Sequence, residues 1–381
     1  MAQATGGRVS DRVRAVIVDD DPDESEALAD LLRESGTGLE VEAIKPSEHV
    51  ESTAETVLKA LPDGHPRVLL LDYRLEDNAQ EGHGVHYRGG TVAGHLRDEA
   101  PDLPIVLLTS EQKLHDWVES RPGMKGVFDW TLVKSEISSP DGAIRGYAKI
   151  VDFAEAWEQA RYWPEDPKET WTRIAALMRA SDESVRLFSE LEPETPRGDV
   201  TGDVIHWLLH RALAFPGPLL GSEAVRVTLG LSGEAFETEK VDAWLEDRRY
   251  TGVLAAFGRR WWAHVVRARL ADVCGGRRPL DASARAAGLG RALETTLAYE
   301  GCDWCGGERT LDACQVCGAA TDAAHCLRPL TAPLPAWADP SVVCFRCIAT
   351  GRADAQQVRF PPQVEDIVDG LKEDRIRPPS A

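Results

Sequence analysis

No run of about 18 consecutive apolar residues occurs in the chain, so nothing in it reads as a membrane-spanning helix. Ahead of the first apolar cluster there is no apolar core of signal-peptide length, and that cluster runs straight into acidic residues. The expectation is a cytoplasmic protein with no membrane partner. A surplus of positive charge is also missing. Lysine and arginine number 43 against 63 aspartate and glutamate, a formal charge of −20. Such a field repels polyphosphate backbones unless a local basic patch overcomes it, and no strong patch is evident. Nucleic acid is therefore not an expected partner. Winged-helix, ATPase-loop and cyclase signatures are absent as well. Cysteine is scarce outside one stretch: of eight, six form three Cys-x-x-Cys pairs near the C-terminus. In a reducing compartment that pattern favours metal over disulfides.

What is present exceeds one ordinary core. The 381 residues, 43% hydrophobic and 28% charged, suit a globular protein of three domains. Ala15 to Val18 form an apolar run that ends in Asp19, Asp20 and Asp21, after which Pro22 opens an amphipathic stretch to Leu32. The alternation continues through apolar runs at 39–44, 68–71, 105–108 and 127–133, with helical patterns around 47–61 and 91–97. Strands alternating with helices imply a five-stranded parallel sheet covered on both faces, with ligands at the carboxyl ends of the strands. Polar residues stand at those ends. Asp19 and Asp20 close the first strand, Asp72 the third, Thr109 the fourth and Lys134 the fifth.

The segments VDDD, LLLDYRL, IVLLTS and LVKS, in that order, resemble the receiver domains of two-component response regulators over residues 13–137. The resemblance implies a flavodoxin-like α/β fold and a phosphoacceptor at Asp72. It further implies Mg²⁺ held by Asp19, Asp20, Asp72 and the backbone carbonyl of Arg74, with Thr109 and Lys134 as the switch pair that grips the phosphoryl group. Clustered carboxylates suit a hard cation that also takes phosphate oxygens. The chain departs from the family pattern at three places. Ser135 follows the lysine in place of proline, Thr131 occupies the aromatic switch position, and the loop from Glu76 to Gly90 is longer than usual and carries His83 and His86. The departures keep open a pseudo-receiver read only as a protein surface, and a solvated loop is the plain expectation for the two histidines.

From 150 to 300 the pattern turns to long helical stretches anchored by tryptophans, among them Trp157, Trp171, Trp207, Trp244, Trp261 and Trp262, and an all-α domain is expected. His206 and His210 share a helix face, but Trp207 stands where a zinc protease places glutamate, so they are expected to line a surface or groove. Arg259, Arg260, Arg267 and Arg269 surround Trp261 and Trp262. The expected form is a helix with its tryptophans inward and its arginines snorkelling.

Cys302, Cys305 and Gly306, then Cys314, Cys317 and Gly318, form two knuckles in which glycine permits the turn that aims both thiolates at one metal. Cys344 and Cys347 are a third pair preceding a helix-like stretch, and His325 and Cys326 lie between. These eight residues are the candidate ligands for one or two zinc ions. Either the first two knuckles share an ion while the third pair joins His325 or Cys326, or Cys314, Cys317, Cys344 and Cys347 share one in a treble clef. The second is preferred. The stretch also has a partial resemblance to zinc-stabilised HNH endonucleases, in which His325 would be the general base. Ala324 and Ile348 stand where that pattern has metal-binding residues, however, and no asparagine is present.

The expected organisation is thus a disordered N-terminus (1–12), a receiver domain (13–137), a helical domain (150–300), a zinc-binding module (301–355) and a tail (356–381) whose amphipathic stretch 364–371 docks on the body or a partner. A bacterial signalling or adaptor protein, with no enzymatic activity of its own, is the expected function. Its partners would be a sensor histidine kinase or another signalling protein. A receiver-regulated nuclease and a zinc-dependent DNA-binding response regulator are the alternatives.

Overall fold

The structure is a computed structural model that describes residues 12–75, 85–110, 126–161, 167–181, 184–186, 188, 201–215, 217–277, 281–308, 311–329, 338–339, 341–356 and 358–378. His83, and all but Arg12 of the segment expected to be disordered, lie outside the described residues. The chain divides into two compact units. One comprises residues 1–177, 196–207 and 252–257, and the other residues 178–195, 208–251 and 258–381.

The first unit is built on a parallel sheet of β1 (Val13–Val18), β2 (Leu39–Ile44), β3 (Arg67–Asp72), β4 (Ile105–Thr109) and β5 (Trp130–Val133) in the order β2-β1-β3-β4-β5. This is the flavodoxin-like winding, whose crevice opens at the carboxyl ends of β1 and β3. The inner strands are apolar nearly throughout because both faces of the sheet are covered. Val16, Val18, Leu69, Leu71, Ile105 and Leu107 pack with Ala54 and Val57 of α2 (Val50–Ala60) and Val92, Ala93 and Leu96 of α3 (Gly89–Glu99). The alternate residues Ile17 and Leu70, wholly buried, face the other side, where α1 (Pro22–Glu34) and the long helix α5 (Pro140–Ala160) lie. Local chemistry fixes where α1 starts. The Asp21 carboxylate accepts from the N–H groups of Asp23 and Glu24 at 3.1 and 3.0 Å, and Pro22 takes a position that needs no donor. Lys134, expected to end the fifth strand, instead begins the single turn α4 (Lys134–Ile137).

Two segments distant in sequence complete this unit. Asp152 on α5 accepts from the backbone N–H groups of Leu254 and Ala256 at 2.9 and 2.7 Å, and Phe257 packs edge-on against Trp130 with centroids 4.7 Å apart. On α7 (Thr201–Trp207), His206 Nε2 lies 3.3 Å from the buried Asp129 carboxylate. That carboxylate also accepts from Arg97 at 2.6 Å and from the Ile105 N–H at 2.7 Å. Between these in sequence comes α6 (Pro167–Met178), where Trp171 meets Trp207 edge-on.

In the second unit, β6 (Leu219–Gly221) and β7 (Arg260–Trp262) form an antiparallel pair, which corrects the all-α expectation for this stretch. Two or three apolar residues in a row carry no period, so strand and helix are indistinguishable there. Trp261 and Trp262 are buried as expected, but on a strand. Around the pair pack α8 (Ser222–Leu229), α9 (Gly233–Phe236), α10 (Glu239–Glu246), α11 (Ala263–Val273) and α12 (Ala282–Ala292), which share one apolar core. A second core gathers the cysteine-rich stretch: the hairpin β8 (Leu311–Ala313) and β9 (Ala320–Asp322), the pair β10 (Cys326–Leu327) and β11 (Val343–Cys344), and helices α13 (Phe345–Ala349) and α14 (Arg352–Ala355). The tail does dock on the body. Leu371 of α15 (Glu365–Lys372) is buried in this core, and Val364, Ile367 and Val368 pack against it.

Because one carboxylate satisfies two otherwise unpaired N–H groups of the 252–257 segment, Asp152→Ala should cost about 1–3 kcal/mol. Chemical denaturation of the full chain would show it as a lower midpoint at unchanged slope.

Candidate functional site

The acidic site forms because β1 and β3 are adjacent and parallel, so their final residues come side by side. One carboxylate oxygen from each of Asp19, Asp20 and Asp72 lies within 4.8 Å of the others. Asp19 and Asp72 are buried, at 1% and 7% exposure. The Lys134 ammonium enters from the end of β5, 2.7 Å from Asp19, 2.5 Å from Glu24 and 3.4 Å from Asp72. Thr109, buried at the end of β4, pairs in register with Val133, one residue before the lysine. All five side chains expected at the strand ends are therefore at one edge of the sheet. Arg74 is oriented by its own N–H, which donates to Asp72 Oδ2 at 2.7 Å.

Burial raises the Asp72 carboxyl to about 7, and the Asp19 charge adds to this; Lys134 and the Arg74 N–H pull the other way without cancelling it. Burial alone would lower Lys134, but Asp72, Asp19 and Glu24 together hold its ammonium protonated above the ordinary lysine range. Three hard oxygen donors, one of them from a carboxyl that resists ionisation, suit a divalent cation such as Mg²⁺, which would neutralise the cluster.

Two residues of this site were missed in the sequence. Glu24, in the first turn of α1, reads there as a complement to the helix dipole, yet it is the shortest contact of Lys134. Gly89 begins α3, and a Cβ on it would stand 2.0 Å from the carbonyl oxygen of Asp72. Its N–H donates to the Tyr73 carbonyl at 3.0 Å, so the chain returning from the long loop closes directly on the acceptor strand. Leu75 and Val85, at the described ends of that loop, are buried, while His86 is exposed. Thr131 faces Leu107 in the sheet. Its neighbour Trp130 does not stand in for an aromatic there, since adjacent strand residues point to opposite faces and Trp130 packs on Phe153 and Phe257.

In the second unit the cysteines gather into two groups. Cys314, Cys317, Cys344 and Cys347 each bring a sulfur within 4.8 Å of the rest, and a separate group is made by Cys302, Cys305 and His325. The first two knuckles do not share a group, and Cys326 belongs to neither. Each knuckle closes by the same turn: Gly306 N–H donates to Cys302 O and Gly318 N–H to Cys314 O, both at 2.8 Å, with the glycines at φ of 72° and 73°. Cys344 caps α13, its sulfur accepting the Cys347 N–H at 3.4 Å. The Cys344 thiol and the N–H groups of Cys344, Cys317 and Val316 draw Cys314 down to about 5 despite burial, while burial and the neighbouring sulfurs push Cys347 up to about 12. Four sulfurs crowded together are the setting in which a soft cation such as zinc relieves repulsion between thiolates.

Among the described residues, neither His206 nor His210 joins a metal-ligating group. Of the four arginines near the tryptophan pair, three are neutralised: Arg259 by Asp242, Arg267 by Asp339 at 3.5 Å, and Arg269 by Asp247 at 2.6 Å. Arg259 and Arg269 also lie over the Trp261 and Trp244 rings. Arg260 donates to the Leu213 and Gly258 carbonyls.

Without a divalent cation, Asp72 keeps its proton to about pH 7 in the folded chain but loses it near the ordinary value of 3.8 when unfolded. Its contribution to stability is complete below the lower value and is lost as pH rises through about 7. A Mg²⁺ ion taken up by the cluster would compete with protons for the same oxygens. Apparent Mg²⁺ affinity should therefore climb by up to roughly tenfold per pH unit from about pH 5 to about pH 7 and then level off. Calorimetric titration would show this slope, and Asp72→Asn should abolish it.

No protein-family model matches the sequence, and no curated protein matches it. Among solved structures, the complex of histidine kinase ThkA with response regulator protein TrrA matches at 24% identity, covering 36% of this chain and 97% of that one, with a TM-score of 0.26. TrrA from Thermotoga maritima in complex with Mg²⁺-BeF matches at 24% identity over 32% of this chain and 84% of its own, with a TM-score of 0.23. The signal receiver domain of the putative response regulator NarL from Mycobacterium tuberculosis matches at 21% identity, 38% and 98% coverage, and a TM-score of 0.27. The N-terminal part of this chain, with its five-stranded parallel sheet, is similar to response-regulator receiver domains.

Proposed function

We propose that the first unit is a phosphoryl-accepting receiver and that the second is a zinc-stabilised module through which its state is passed to protein partners. The observation that carries this reading is the convergence of Asp19, Asp20, Asp72 and Lys134 at one edge of the parallel sheet. Asp72 is the acceptor: its carboxylate oxygen forms a bond to phosphorus as the bond from phosphorus to the donor's leaving group breaks. Asp19, Asp20 and the Arg74 carbonyl hold Mg²⁺ with Asp72, and the cation supplies charge neutralisation on the phosphoryl oxygens. Lys134 exchanges its half-exposed partner Glu24 for the new phosphoryl group, and the Thr109 hydroxyl completes the grip as the switch. The donor is a sensor histidine kinase or another phosphoryl carrier.

Zinc is held by Cys314, Cys317, Cys344 and Cys347, and a second ion by Cys302, Cys305 and His325. With its ring among two cysteines, His325 serves as a ligand, which removes the general base that the nuclease alternative requires. Carboxylates beside three of the four arginines in the Trp261 region leave no basic stripe for DNA, which weighs against the regulator alternative.

Beryllofluoride with Mg²⁺ mimics the phosphoryl group on an acceptor aspartate. At a hundredfold excess over its Kd it should stabilise the first unit by about 2.7 kcal/mol, a melting shift of roughly 5–10 °C. The shift should require Mg²⁺ and vanish in Asp72→Ala. Equal responses from wild type and the variant would leave a pseudo-receiver whose acidic edge is only a protein surface.

A further inference from the structure

We propose that the zinc ion of the Cys302–Cys305–His325 group keeps one exchangeable coordination position, held by water in the free protein and open to an incoming thiolate. The inference rests on the reading of this group as a zinc site. Four sulfurs converge in the neighbouring group, which suits a closed tetrahedron, but among the described residues only two sulfurs and one imidazole converge here. His325 is suited to bind metal. Among the described residues its Nδ1 is buried without a hydrogen-bond partner, and Phe345 packs edge-on against the ring at 5.9 Å, fixing it in place.

Among the described residues of this module, the candidates for a fourth protein ligand make other contacts. Cys326, next in the chain to His325, lies outside the group, and its sulfur donates to the Ala323 carbonyl at 3.7 Å. Its backbone is fixed by pairing with Cys344 in the β10–β11 pair. Asp303 is paired with Arg346 at 3.0 Å, and the Asp322 carboxylate accepts the Ala324 N–H at 2.8 Å. Residues 309–310, 330–337, 340 and 357, which lie outside the described part of this module, include no Cys, His, Asp or Glu. Access is open as well: Cys302 is buried, but Cys305 and His325 are only half-buried. Three protein ligands beside solvent is the arrangement in which zinc retains a labile ligand, and a soft thiolate competes well for it.

The test uses the full-length chain with cadmium in place of zinc, because the cadmium NMR shift reports the number of sulfurs on each ion. Two ions per chain and two resonances are expected, one at a four-sulfur position and one at a two-sulfur position. Adding β-mercaptoethanol should move only the second toward the three-sulfur position, and Cys326→Ser and Cys326→Ala should leave both unchanged. A second resonance already at the three-sulfur position, shifted by either Cys326 variant, would overturn the proposal by showing a closed site. So would a two-sulfur resonance indifferent to the added thiol. A single ion per chain, in the four-sulfur group, would overturn it differently, by removing the zinc reading of the three-residue group.

Discussion

One ammonium group, on Lys134, makes the acidic edge of the sheet possible. Asp19 and Asp72 are nearly sealed from water and separated by less than 5 Å. At such separations two like charges repel by about 4 kcal/mol at an effective dielectric near 20. Lys134 lies within 3.4 Å of both and of Glu24, and it approaches from β5, the edge strand farthest from β2. The lysine can reach the carboxylates only if β4 and β5 pair in the observed register, so the function of the site depends on the packing of a strand that carries none of its acids. That strand is in turn held at its start by Asp129, which joins Arg97 of α3, the Ile105 N–H and His206.

The sheet and the site at its edge were legible in the sequence for a common reason. Buried parallel strands need continuous apolar runs, and the polar residue that ends each run must fall at the carboxyl edge. Asp19, Asp72 and Thr109 could therefore be placed without coordinates. Glu24 could not, because a carboxylate in a first helical turn has a sufficient local explanation. Gly89 was equally silent: its importance comes from the nearness of the Asp72 carbonyl, a contact made across a long loop. The segments 201–207 and 252–257 join the first unit through polar contacts to Asp129 and Asp152 and through aromatic packing of Trp207 and Phe257, contacts that leave no periodic trace. Short apolar runs hid β6 and β7, and Cys-x-x-Cys spacing revealed ligands without revealing their pairing.

Two of the three candidate metal sites answer the same electrostatic problem by different means. In the first unit a protein cation partly balances the carboxylates, and burial, with the Asp19 charge adding to it, leaves an Asp72 that holds its proton to about pH 7. In the cysteine quartet, hydrogen bonds from the Cys344 thiol and from backbone N–H groups draw Cys314 down to about 5. A hard divalent cation suits the oxygen cluster and a soft one the sulfurs, so the chain can hold both kinds without exchange between sites. On this account the first metal serves chemistry and the quartet's metal serves folding, since thiolates gathered by two knuckles and a helix start have little else to hold them together.

As the proposed phosphoryl acceptor, Asp72 would form an acyl phosphate. Treating the full chain with acetyl phosphate and Mg²⁺, trapping with borohydride and mapping the product by peptide mass spectrometry tests it directly. The account predicts reduction of one residue, Asp72, to homoserine, dependent on Mg²⁺. Modification at Asp19 or Asp20 with Asp72 intact, or no trapped product while a known receiver treated in parallel is labelled, would contradict it.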